Sequence, residues 1–131
     1  MTVIRSILAG GLLLLLAGCA SAPPCRNHTQ LFFGSAIAES GAKVDEAAWR
    51  DFVKTAILPR FPDGFTVMDA EGVWRSPATG RAVSEPSRVL LVLHADNVES
   101  HRQLDAVAAE YKARFSQESV LRLDQCGAYS F

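Results

Sequence analysis

A chain of 131 residues with 49% apolar and 21% charged side chains has the composition of a folded protein and the length of one domain, which excludes wholesale disorder and a second independent core. Its 13 basic and 14 acidic residues form no cluster of lysine and arginine, so the electrostatic footprint of a nucleic-acid binder is missing and no nucleic-acid partner is expected.

Residues 1–18 have the layout of a secretory signal: Arg5 in a short start, then an apolar run of 11 residues from Ile7 to Ala17 that includes Gly10 and Gly11. A bilayer span takes about 20 apolar residues, so the run is too short for a permanent anchor. Leu16-Ala17-Gly18-Cys19 closes it and resembles the bacterial lipobox, which implies lipid attachment at Cys19 and cleavage before it. Two or more acyl chains would then hold the mature protein on its membrane, at about 0.8 kcal/mol per buried methylene. Ala20 follows where aspartate would favour inner-membrane retention, so the expected address is the outer membrane, with the domain facing the periplasm. Removing Arg5 leaves 12 basic against 14 acidic residues, a net charge of −2 on the mature chain.

With Cys19 lipidated, Cys25 and Cys126 remain as an even pair in an oxidising compartment, where a disulfide persists. The rival reading is a reactive or metal-binding thiol. Neither cysteine has a CxxC neighbour, and only His28 lies near Cys25.

Residues 19–29 are small and polar with Pro23 and Pro24, as a tether would be, and the single domain is expected over 30–131. Leu31 to Ile37 predicts a strand with apolar residues on both faces. Asp45 is a plausible N-cap for a helix carrying Trp49, Phe52, Val53, Ala56 and Ile57 at three- and four-residue spacing, with Pro59 as its stop. Residues 65–75 and 81–94 predict the two arms of an irregular hairpin, with a bulge at Gly72. The second arm contains Val89 to Leu93, an unbroken apolar run suited to burial on both faces. Asp96 or Asn97 would cap a second helix with Leu104, Val107, Ala108, Tyr111 and Phe115 along one stripe, and 119–124 alternates as a half-buried edge strand.

The order β-α-β-β-α-β predicts an α+β domain of the ferredoxin-like type, a four-stranded antiparallel sheet with two helices on one face. In that topology the first and third strands are central, and they are the two that are apolar on both faces. The fourth strand lies antiparallel beside the first, which brings Cys25 and Cys126 to one end of the sheet. A bridge there would close a long loop and contribute about 4–5 kcal/mol in the chain-entropy model. The sheet's second face then needs a cover: a second copy in a homodimer, an envelope protein, the hairpin folding back, or the tail 127–131.

Chemistry is sparse in the pattern. There is no GxSxG elbow, HExxH, phosphate-binding glycine loop or EF-hand loop, and His28, His94 and His101 lack the spacing of a metal site. No metal and no cofactor are expected. Glu85 and Arg88 are expected to pair with each other. The one candidate polar cleft joins Arg60, near the first helix's end, to Glu118 before the last strand, but helix-end charge compensation by Arg60 and an ordinary polar loop are the preferred explanation. The catalytic residues, if any, are unknown.

Leu31-Phe32-Phe33-Gly34, Trp49 with Phe52, Arg60-Phe61-Pro62-Asp63-Gly64, the Asp69 to Trp74 segment and Gln117-Glu118-Ser119-Val120-Leu121-Arg122 together resemble a bacterial family known as domain of unknown function 3574. The resemblance covers about residues 30–125 and implies no catalytic residue or ligand. Two classes of function stay open. One is a non-enzymatic envelope lipoprotein that binds a partner through its sheet. The other is a small dimeric enzyme or ligand binder, similar in architecture to cofactor-free monooxygenases.

Overall fold

The computed structural model describes residues 26–37, 40–75 and 79–130. Cys19 and Cys25 lie outside them. Strand β1 (Arg26–Gly34) leads to helix α1 (Glu46–Phe52), which widens into a π-helical segment at Val53–Ile57. Strands β2 (Thr66–Arg75) and β3 (Ala82–His94), helix α2 (Val98–Phe115) and strand β4 (Leu121–Gly127) follow. The four strands form one antiparallel sheet in the order β2-β3-β1-β4. This is the ferredoxin-like α+β arrangement, with the first and third strands central as the sequence pattern predicts.

Local chemistry sets the element ends. The Asp45 carboxylate accepts from the Ala48 backbone N–H and Asn97 accepts from that of Ser100, so each helix begins at a side chain that satisfies one of its free donors. The helix stop before Pro59 is observed: Leu58 N–H bonds back to Val53 and the chain turns at Arg60. Two boundaries differ from the sequence reading. β1 starts at Arg26, inside the stretch expected to be a tether, because Asn27, His28 and Thr29 find partners on both sides, in β3 and β4. The β2–β3 register runs one to one through Gly72 opposite Glu85, so the bulge expected there is absent.

Strand parity divides the sheet. Thr29, Leu31 and Phe33 of β1 stand level with Val92, Leu90 and Arg88 of β3 and face the helices. Their apolar members, with Trp49, Phe52, Ala56, Ile57, Leu104, Val107, Tyr111 and Phe115, make the single core. Phe33 is its hub, with ring centroids 5.5 Å from Trp49, 5.9 Å from Phe52 and 4.6 Å from Tyr111.

Candidate functional site

Three regions carry polar groups or apolar surface beyond what the fold itself requires. The first is the face of the sheet turned away from the helices. Met68, Val89, Phe32 and Leu121 stand side by side across all four strands. The adjacent row is Thr66, Leu91, Gln30 and Leu123. No charged side chain belongs to either row. Met68 is 42% exposed, Leu123 41% and Leu121 62%, and Leu93 and Trp74 on the same parity are exposed as well. The alternation of β4 is thus as expected, but its orientation puts the leucines outward. Arg122 and Asp124 point beneath α2 because that is where their partners are.

Those partners form the second region. The buried Thr29 hydroxyl donates to Asp124 Oδ1 at 2.5 Å and shares a hydrogen bond with His94 Nε2 at 2.8 Å. Arg122 bonds Asp124 at 3.0 Å, Asp105 at 2.6 Å and His101 Nδ1 at 2.5 Å, and His101 Nε2 reaches Asp96 at 3.1 Å. Partial burial works to raise the Asp124 carboxyl, but the Thr29 hydroxyl bond and Arg122 outweigh it and hold it below the usual range. The His94 and His101 rings meet edge to face at 5.5 Å, a proximity that their separation in sequence concealed. Their nitrogens are already bonded to Thr29, Ala95, Arg122 and Asp96. Among the described residues no group of histidine, cysteine and acidic side chains is placed to hold a metal ion.

The third region is a cavity of about 440 Å³ where the end of β1 meets the start of α1, lined by Phe33, Trp49, Tyr111, Ser35, Lys43 and Arg88 among others. Arg88 does not pair with Glu85. Its guanidinium lies over the Trp49 ring at 5.2 Å and bridges Glu46 at 2.5 Å and Asp69 at 3.1 Å. The Glu85 carboxylate instead crosses Gly34 to accept from the Ala36 backbone N–H at 2.8 Å. A Cβ on Gly34 would come within 2.8 Å of that carboxylate, so the glycine leaves room for the crossing. The Tyr111 hydroxyl donates to Gly34 O at 2.8 Å, and burial pushes it up to about 12. Among the described residues, Ser35 Oγ is buried with no hydrogen-bond partner.

The cleft residues read from the sequence fall apart in space. Arg60 pairs with Glu110 at 3.0 Å and donates to Ala56 O at 2.6 Å, compensating its own helix end. It also lines a smaller cavity of about 300 Å³ beside Leu93 and His94. Glu118 is exposed in the α2–β4 connection and lines neither cavity. Cys126 lies on β4 opposite Asn27. Among the described residues no helix is long and apolar enough to cross a membrane.

Comparison with known proteins confirms the fold. A phage SAM lyase in complex with S-methyl-5′-thioadenosine superposes with a TM-score of 0.61 at 18% identity, over 88% of this chain and 87% of that one. The same kind of lyase in its apo state gives 0.57 at 20% identity, over 88% and 87%. CutA from Synechococcus elongatus PCC7942 gives 0.50 at 12%, over 78% and 77%. At such identities the likeness is one of architecture. No curated protein sequence matches the chain. A family model described as "Protein of unknown function (DUF3574)" matches residues 28–131, and the chain therefore belongs to that family.

Proposed function

We propose that this protein is an outer-membrane lipoprotein, anchored by lipid on Cys19, whose periplasmic domain is a non-enzymatic binding module that works through the open face of its sheet. The observation that carries the proposal is the uncharged apolar row Met68–Val89–Phe32–Leu121 together with the exposed Leu123 and Leu93. Contiguous apolar surface of this kind marks an interaction site. A second copy is the occupant we favour over a different envelope protein. The two central rows carry no charge, so two such faces related by a two-fold axis meet along them without like charges opposing each other.

The anchor rests on the short apolar run and on Leu16-Ala17-Gly18-Cys19. A Cys25–Cys126 disulfide belongs to the same proposal. Asn27, two residues after Cys25, stands level with Cys126 in the β1–β4 register, and the compartment favours oxidation. Intact mass of protein from membrane fractions tests both. The expected result is a chain starting at Cys19 with added acyl groups, and two thiols that alkylate only after reduction. An unlipidated chain with two free thiols would overturn the address.

A second reading, a small-ligand binder, has one observation in its favour, the cavity beside Arg88 with an unsatisfied hydroxyl in its wall. Binding of a small molecule there that shifts the Trp49 resonances would support it.

A further inference from the structure

We propose that the cavity between β1, β3 and α1 takes a small organic anion, a carboxylate carried on an apolar or aromatic body. The proposal rests on the ligand-binding reading of that cavity and is independent of association through the open sheet face.

The floor of the cavity is apolar. Phe33, Trp49 and Tyr111 line the cavity from a strand and both helices, with centroids 4.6 to 6.1 Å apart. Rings fixed by mutual packing offer a preformed apolar surface with little side-chain freedom left to lose on binding.

The acceptors on the lining are already spent. Both carboxylates on the lining are engaged: Asp45 accepts from the Ala48 N–H, and Asp69 bonds Arg88. The Tyr111 proton goes to Gly34 O. What the wall still offers is mainly donors. Arg88 uses Nε toward Asp69 and Nη2 toward Glu46, and among the described residues neither N–H group of Nη1 has a partner, which leaves them for a ligand. Ser35 Oγ carries a proton with no acceptor among the described residues, and Lys43 supplies a second cation on the lining. A guanidinium favours a planar carboxylate through paired bonds, strengthened where the cation is shielded from water. The Arg88 side chain is 25% exposed and backed by Trp49, whereas its partner Asp69 is 90% exposed. That carboxylate is therefore the one an incoming ligand anion would displace.

The test uses the mature full-length chain carrying Cys19→Ser, titrated with phenylacetate and hexanoate and with their neutral amides, phenylacetamide and hexanamide. Binding is read from the Trp49 indole N–H resonance. At least one carboxylate is expected to bind ten-fold or more tightly than its amide. Arg88→Gln should abolish that preference, and Ser35→Ala should weaken carboxylate binding several-fold. Asp69→Asn should strengthen it several-fold by removing the competing carboxylate, a gain that a misfolded variant would not produce. Amides binding as well as carboxylates would overturn the anion proposal while leaving the cavity a ligand site. No shift with any of the four probes at millimolar concentration would overturn both.

Discussion

The two faces of this sheet are built from similar apolar residues and have opposite fates. On one, Leu31, Phe33, Leu90 and Val92 vanish beneath two helices, and on the other, Phe32, Val89, Leu91 and Met68 are joined by leucines that remain in water. Helices close one side because each crossover returns over the same face. On the other, Met68, Leu93, Leu121 and Leu123 stay exposed, although Val89 on the same face is buried. Apolar content therefore identifies the central strands, but only topology tells which of their faces needs a partner from outside.

The comparison predicts that equal apolar deletions on the two faces have unequal costs. Phe33→Ala removes the ring that touches Trp49, Phe52 and Tyr111 and is expected to lower stability by about 3–5 kcal/mol, measured by urea unfolding. A loss below 1 kcal/mol would mean that the helix face is not the core.

Tyr111→Phe is expected to cost about 1–2 kcal/mol, because the Gly34 carbonyl loses its donor. The same residue sets an alkaline limit. Its folded-state value of about 12 lies above the ordinary 10, raised by burial. The stabilisation is thus complete below pH 10 and is lost as pH rises from 10 through about 12. Unfolding midpoints across that window should fall more steeply for the native chain than for Tyr111→Phe.

Asp124 should act at the acid end. Its carboxyl is held below the usual carboxylate range despite partial burial, by Thr29 and Arg122. Its contribution is present above about pH 4 and disappears as the pH falls through the lowered value. Asp124→Asn should flatten the acid limb of a stability–pH curve, and an unchanged limb would remove Asp124 from the account.

Much of the fold is legible in the sequence for reasons these residues make concrete. Val89 to Leu93 has no polar break, which marks a central strand with apolar residues on both faces, although Leu93 on the open face stays exposed, and Asp45 and Asn97 announce helix starts by local hydrogen bonding. What is not legible depends on partners far along the chain. Arg26 to Thr29 reads as a polar tether until β3 and β4 supply its pairs. The outward turn of Leu121 and Leu123 follows from Arg122 and Asp124 meeting Thr29, His101 and Asp105 below α2. The cavity escaped for the same reason. Arg88 finds Glu46 on another element, while its near neighbour Glu85 is taken by the Ala36 N–H.

The smallest expected change in stability comes from the open face. Leu121→Lys with Leu123→Lys replaces two exposed side chains and should alter monomer stability by no more than about 0.5 kcal/mol per site. Its effect on assembly should be complete, because two added cations per copy would oppose each other across a two-fold interface. Sedimentation equilibrium of the mature Cys19→Ser chain, alone and with these two substitutions, is therefore the most direct test that the open face is an interface between copies. The account predicts a dimer at micromolar concentration for the parent and a folded monomer for the variant. A parent that stays monomeric at hundreds of micromolar, or a dimer untouched by both lysines, would contradict it.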